Sequence, residues 1–276
     1  RDGCTLRYRD TDPDNAGGKE TLVLLTGWSQ TAAMYDKLID EIKGDYRVVS
    51  YDHRNHGESG STDNGARIAS LATDLHELLR ELDLHNVNLT GNSMGCSVIW
   101  SYLDIYGSSN VRSLTLIDQP SVCALVPWLT DDDAADVGAI LGFTQASDLI
   151  QALIGDDSEQ VRKDFVRSMM MPEMDTEDVE WIYEQNMKLR MPFGAKLVLD
   201  HVMQDWRDLL PRIDVPTLVT GGEASHVNAT SQEWIAKQIP GAKLHVFTKE
   251  DGGDHFPFFQ QPKRFADVYT EFLQSV

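Results

Sequence analysis

Apolar and polar positions along this chain follow two different periods. The nearly continuous apolar run 21–25 is typical of a central parallel strand, and 46–51 is predicted as another strand. Other stretches repeat apolar residues every three to four positions, as in 68–82, where the leucines share one helical face. Because strands and helices alternate, the pattern predicts an α/β fold with a mostly parallel sheet covered on both faces.

The same pattern also predicts where the sheet is interrupted. Further strands are expected at 5–9, 87–89, 113–117, 217–220 and 244–247, and further helices at 34–42 and 262–273. Between about 121 and 206 the chain has helical spacing, many Met and aromatic residues, and no strong strand. We therefore predict a core of residues 1–120 and 207–276 and a helical cap of residues 121–206.

Composition and charge restrict the partners. The formal net charge is −20, from 24 basic and 44 acidic residues, which argues against nucleic acid or an anionic membrane. No apolar run approaches the roughly 18 residues of a membrane span, and no signal-peptide pattern is visible. Three widely spaced cysteines, Cys4, Cys96 and Cys123, favour a reducing compartment. We expect a cytoplasmic protein that acts on a small molecule, and the oligomeric state stays open.

The segment 91–95, Gly-Asn-Ser-Met-Gly, carries the clearest chemical signal. It follows the apolar run 87–89 and precedes a helical stretch at 96–102. Glycines two residues before and after Ser93 let the backbone turn sharply between a strand and a helix. Such a turn holds the serine hydroxyl above the sheet, so Ser93 is the candidate nucleophile.

Four segments in this order resemble the α/β-hydrolase superfamily over nearly the whole chain. They are the Gly-Trp loop at 27–28, the loop 52–57, the turn at Ser93 and the late loop 253–257. The resemblance implies an eight-stranded, mostly parallel sheet, a cap inserted after the sixth strand, and a Ser–acid–His triad.

The resemblance also implies roles for particular residues. A serine hydroxyl needs a base to take its proton, and His255 lies in the loop where the family places that base. The backbone N–H groups of Trp28 and Met94 would bind the oxyanion, and Gln30 is close enough in sequence to contact a substrate. The other seven histidines are interpreted as loop, surface or core residues.

The acid departs from the common family pattern. Most members carry an Asp after the seventh strand, whereas this chain has Ser225 there. Three carboxylates are alternatives: Asp118 after the sixth strand, Glu223 near the usual position, and Asp254 beside His255. We predict Asp118, because the superfamily also uses an acid after the sixth strand.

The leading functional hypothesis is a serine hydrolase that cleaves an ester, thioester or lactone of a small, partly apolar molecule. A haloperoxidase or perhydrolase side activity is compatible with the same scaffold. Trp128 and Trp181 are candidates for the pocket wall, with cap–core packing as the other interpretation. No metal-ligand spacing and no nucleotide-binding glycine motif is present, so we expect no metal and no cofactor.

Two alternatives remain. The chain is similar to the cofactor-free dioxygenases of this superfamily that open 3-hydroxy-4-quinolone-type rings, through the Gly-Trp loop at 27–28, Asp118 and Ser225. In that branch the His–Asp pair deprotonates the substrate, and a His stands where this chain has Gln30. The second alternative is a non-enzymatic ligand-binding protein on the same scaffold, consistent with the missing common acid.

Overall fold

The structure, a computed structural model, describes residues 2–276 apart from the side chain at position 135. Nine strands are present in the described chain: β1 Tyr8–Asp10, β2 Thr21–Leu25, β3 Arg47–Tyr51, β4 Val87–Asn92, β5 Val111–Ile117, β6 Ala124–Leu125, β7 Leu141–Gly142, β8 Thr217–Gly222 and β9 Lys243–Phe247. Seven of them form one sheet in the order β1-β3-β2-β4-β5-β8-β9. Every neighbouring pair in this sheet is parallel except β1 with β3. The α/β fold with a mostly parallel sheet is therefore confirmed.

Helices connect and cover these strands. Their bounds are α1 Asp36–Ile42, α2 Ile68–Glu81, α3 Met94–Tyr106, α4 Asp131–Val137, α5 Phe143–Ile154, α6 Ser158–Arg167, α7 Thr176–Met187, α8 Phe193–Val202, α9 Ala229–Gln238, α10 Pro257–Gln260 and α11 Pro262–Leu273. Helices α4–α8 all lie within residues 121–206, which we call the inserted segment. No helix in the described chain is both long enough and apolar enough to cross a bilayer.

The two faces of the sheet are covered by different helices. Strand β2 is fully buried, and its successive side chains point to opposite faces. Val23 and Leu25 join a core that contains the leucines of α2 and the apolar residues of α3. Leu22 and Leu24 join a second core, built with α1 and α11. This double burial explains the nearly continuous apolar pattern of the strand.

The sheet has seven strands where the family resemblance implies eight. The chain before β1 pairs instead with the loop that follows β3: the N–H of Gly60 donates to the carbonyl of Thr5, and the N–H of Asp52 to that of Arg7. Within residues 2–276, the short strand β1 is therefore the only strand on that side of β3. Strands β6 and β7 form a separate two-stranded parallel pair inside the inserted segment, where the sequence pattern shows no strong strand.

Candidate active site

Ser93 stands on a sharp turn between β4 and α3. Its φ of +54° lies in the left-handed region that non-glycine residues rarely adopt. A Cβ at Gly91 would stand 2.6 Å from the carbonyl carbon of Gly95, so the close approach of strand and helix requires glycine. The local sequence thus imposes the turn that presents the Ser93 side chain.

Asp118 and His255 form a buried carboxylate–imidazole pair. Asp118 follows β5, His255 lies in the loop between β9 and α10, and the pair is joined by an Nδ1···Oδ2 distance of 2.6 Å. Both side chains are almost completely inaccessible to solvent. The structure therefore brings together the two residues that the sequence analysis paired as acid and base.

The other candidate acids lie elsewhere. The side chain of Glu223 is exposed. Asp254 accepts hydrogen bonds from the backbone N–H of Phe256 at 2.7 Å and of Met171 at 3.2 Å. Its carboxylate also accepts from the side-chain amide of Gln260 at 2.6 Å. Asp254 thus organises the loop that carries His255.

A hydroxyl supports the carboxylate of Asp118. The Oγ of Ser225 donates to Oδ2 of Asp118 at 2.5 Å, the same oxygen that faces His255. Burial raises the pKa of the Asp118 carboxyl to about 7, and the hydrogen bond from Ser225 acts in the opposite direction. The serine in the usual acid position is therefore part of the environment of the relocated acid.

The imidazole of His255 is poised as a neutral base. Burial lowers its pKa, because a charged ring would lose its hydration. Its Nε2 is buried and has no hydrogen-bond partner among the described residues. The backbone holds the ring in place: the N–H of His255 donates to the carbonyl of Met169 at 3.2 Å, and its carbonyl accepts from Asn92 at 3.0 Å.

Ser93 and His255 line the same cavity. Its volume of about 30 Å³ is enough to hold at least one water molecule. None of the described residues that line it is Asp, Glu, Lys or Arg. Apolar side chains from the inserted segment close it, and they include Ile140, Leu141, Phe165, Met169, Val198 and Val202.

The loop 27–30 forms another wall of this cavity. Trp28 and the buried Gln30 both line it. Gln30 accepts the N–H of Gly27 through Oε1 at 3.2 Å, and the N–H of Ser29 donates to Nε2 of His56 at 3.2 Å. Met94 is the first residue of α3, so its N–H has no acceptor within that helix. Trp28 lines the cavity with Ser93, and Met94 directly follows Ser93, so their N–H groups are the two candidate oxyanion donors.

Two predicted pocket residues lie outside this cavity. The indole of Trp128 is 63% exposed, and its N–H donates to Asp205 at 3.4 Å. The ring of Trp181 stacks on Phe259 with centroids 5.4 Å apart. Each indole contacts residues outside the cavity, so neither lines the cavity with Ser93.

The cavity contains two further histidines, His201 and His226, to which the sequence gave no role, and His226 is the one beside His255. Its ring lies edge-on to that of His255, with centroids 4.6 Å apart, and its Nδ1 is buried without a hydrogen-bond partner in the described chain. Burial lowers the pKa of His226 to about 3, so the ring is neutral at neutral pH. Its position directly after Ser225, in the loop where the family usually carries its acid, was the available signal.

Asp118, His226 and His255 each offer one possible metal-ligand atom, and these atoms lie within 4.8 Å of one another. Spacing along the sequence gives no hint of this group, because the fold assembles it from separate loops. The carboxylate and the His255 imidazole are already joined by a hydrogen bond. We therefore interpret the group as an acid–base pair with a second, neutral imidazole beside it.

Comparison with known proteins identifies the family. The family model for the alpha/beta hydrolase fold matches residues 20–262. A non-heme chloroperoxidase of Kitasatospora aureofaciens is 26% identical over 266 residues, covering 92% of this chain and 90% of that protein. A 3-oxoadipate enol-lactonase of Acinetobacter baylyi is 24% identical over 282 residues, covering 100% and 96%.

Solved structures show the same fold. An esterase from Exiguobacterium antarcticum superposes with a TM-score of 0.87 at 24% identity, covering 99% of this chain and 97% of that one. The family model spans most of the chain, and the strand–turn–helix at Ser93 lies inside the matched residues. The chain therefore belongs to the alpha/beta hydrolase family of enzymes.

Proposed function

We propose that this enzyme is a serine hydrolase that cleaves an uncharged carboxylic ester, thioester or lactone of a small, partly apolar molecule. The observation that carries the proposal is the His255–Asp118 pair, joined at 2.6 Å, beside the cavity that His255 shares with Ser93. The names of the relatives, an enol-lactonase and an esterase, support an ester or lactone as the bond cleaved.

The catalytic steps use groups already described. The Oγ of Ser93 attacks the substrate carbonyl while Nε2 of His255 takes its proton, and Asp118 stabilises the imidazolium that forms. The N–H groups of Trp28 and Met94 bind the negative oxygen of the tetrahedral intermediate. His255 then protonates the leaving alcohol, and a water molecule, deprotonated by the same ring, releases the acid from Ser93.

The cavity and the surface charge support an uncharged substrate. No Lys or Arg among the described lining residues can pair with a substrate carboxylate. The net charge of −20 further disfavours the approach of anions. We also propose that the inserted segment acts as the cap that sets substrate size, because its side chains close the cavity.

Two related chemistries stay open as second candidates. The relative named a chloroperoxidase supports one in which hydrogen peroxide, in place of water, attacks the acyl group on Ser93 and releases a peroxyacid. The unpartnered Nε2 of His255 supports the other, in which the His–Asp pair deprotonates a 3-hydroxy-4-quinolone that then reacts with oxygen. In that dioxygenase Ser93 would form no acyl intermediate.

The deciding experiment compares wild type with Ser93→Ala. We expect turnover of a short-chain aryl ester to fall by a factor of about 10⁴ or more in Ser93→Ala. Oxygen uptake with a 3-hydroxy-4-quinolone is measured on the same samples. Ester cleavage that persists in Ser93→Ala would overturn the serine hydrolase, and oxygen uptake that survives the substitution would establish the dioxygenase.

A further inference from the structure

Two loops of this enzyme converge on one carboxylate oxygen. Asp118 comes from the end of β5, and Ser225 from the loop after β8. Oδ2 of Asp118 lies 2.5 Å from Oγ of Ser225 and 2.6 Å from Nδ1 of His255. The hydroxyl thus stands one hydrogen bond away from the point where the imidazole meets its acid.

We propose that Ser225 is a positioning residue for the acid Asp118, because its hydroxyl holds the carboxylate oxygen that faces His255. The proposal rests on the proposed function, because it assigns the acid of that same reaction. A serine at position 225 cannot itself be the acid, but through this hydrogen bond it still acts on the acid.

The loop geometry supports this convergence. The backbone N–H of Val227 donates to Oγ of Ser225 at 3.0 Å, which fixes the serine side chain so that its proton points to Asp118. The N–H of Asp118 donates in turn to the carbonyl of Thr220, at the end of β8. The two loops are therefore anchored to each other through neighbouring strands, and an aspartate at position 225 extends one bond further toward His255 than the serine does.

The first test removes the hydroxyl. When the pair is ready for catalysis it carries one negative charge, and Ser225 donates a hydrogen bond to that charge. Ser225→Ala therefore increases the proton affinity of the pair as a unit. We expect the acid limb of the profile of kcat/KM against pH to move upward by roughly one pH unit.

A matched control separates this effect from general loop damage. Ser231 lies in the same region, but its Oγ donates to the carbonyl of Asn228 at 2.8 Å instead of to Asp118. Ser231→Ala should keep the wild-type profile. A Ser225→Ala profile that overlays the wild-type profile would overturn the positioning role.

The second test moves the acid to the other loop. Asp118 has a φ of +53°, so Asp118→Gly keeps this backbone without strain and leaves the carboxylate site open. We expect Asp118→Gly to lower kcat by a factor of about 10³ to 10⁴. The kcat of the double variant Asp118→Gly/Ser225→Asp should be at least about tenfold higher than that of Asp118→Gly, which restores part of the loss.

Each outcome of the acid transfer is decisive. A folded double variant no more active than Asp118→Gly would contradict the placement of the side chain at position 225 beside the carboxylate that faces His255. If the glycine variants fail to fold, Asp118→Asn and Asp118→Asn/Ser225→Asp replace them, because Asn also tolerates a left-handed backbone.

A measurement without substrate keeps this inference separate from the proposed function. A histidine Nδ1–H bonded to a carboxylate gives a low-field proton NMR signal. We expect this signal from His255 in the wild type, its loss in Asp118→Gly, and its return in the double variant. If Ser93→Ala still cleaved esters, the proposed function would fail, but this signal would still test the acid site. A signal that does not return in the double variant would overturn the inference.

Discussion

The indole N–H of Trp28 donates to the backbone carbonyl of Gly194 at 2.8 Å. This buried hydrogen bond ties the loop after β2 to the start of α8, so it connects the sheet with the inserted segment across 166 residues of sequence. The backbone N–H of the same residue is a proposed oxyanion donor. One tryptophan therefore lines the cavity of Ser93 and also attaches the inserted segment.

Removing that hydrogen bond should loosen the inserted segment. Trp28→Phe keeps a ring but loses the donor, and we expect the free energy of unfolding to fall by about 1–2 kcal/mol in urea titration. Trp128→Phe is the matched control, because that indole is largely exposed and its hydrogen bond is long. The control should change stability by less than about 0.5 kcal/mol. Equal losses in the two variants would contradict the assignment.

Gly27 leaves no room for a methyl group next to the nucleophile. A Cβ there would stand 2.6 Å from Nε2 of Gln30 and 3.0 Å from Cβ of Ser93. Gly27→Ala should therefore displace the Gln30 amide and lower kcat/KM by about 10- to 100-fold. Gly44→Ala serves as control, because a Cβ there meets no atom within 4 Å. A Gly27→Ala variant with wild-type kcat/KM would show that the loop adjusts freely.

The pH dependence of activity follows from the burial of His255. The ring acts as a base in its neutral form, and burial lowers its pKa below the ordinary imidazole value of about 6.5. Activity should therefore be retained as pH falls through 6.5 and be lost at lower pH. The measurement is kcat/KM against pH with an uncharged aryl ester, with folding checked at each pH by circular dichroism. An inflection above 6.5 in a folded enzyme would contradict this expectation.

Phe165 should limit the length of the acyl chain. Its ring lines the cavity and packs edge-on against Trp28, with centroids 5.8 Å apart. Phe165→Ala enlarges the cavity, so we expect the ratio of kcat/KM for a hexanoate over an acetate ester to rise by about tenfold or more. Phe143→Ala, which removes a half-exposed ring at the start of α5, is the control. An unchanged ratio in Phe165→Ala would place the acyl group elsewhere.

Much of the fold could be predicted because its signals are local. The apolar run 21–25 coincides with β2, and the amphipathic stretch 262–273 coincides with α11. The glycines around Ser93 encode the turn directly, since the backbone there tolerates no Cβ at Gly91. The short strands β6 and β7 were not predicted, because two-residue strands carry no period that a sequence pattern can show.

The order of motifs along the chain predicts candidate residues of the site, but it does not predict the contacts that those residues make after folding. The absence of an Asp at position 225 directed attention to Asp118, but the hydrogen bond between the two positions joins residues 107 apart. The position of His226 in the usual acid loop was its only signal in the sequence, because its nearness to His255 exists only in the folded chain. Trp128 and Trp181 were predicted to line the pocket and do not line it. An aromatic residue in a helical stretch predicts a packing contact, but the sequence does not say with which part of the protein.

The loop of His255 and the link between α6 and α7 are joined by two hydrogen bonds in opposite directions, one to a backbone carbonyl and one to a side-chain carboxylate. The N–H of His255 donates to the carbonyl of Met169, and the N–H of Met171 donates to the carboxylate of Asp254. One local opening of the chain must therefore break both hydrogen bonds together. The two amides should exchange their protons with solvent at a common rate, so amide exchange at His255 and Met171 would report how often the inserted segment separates from the loop that carries His255.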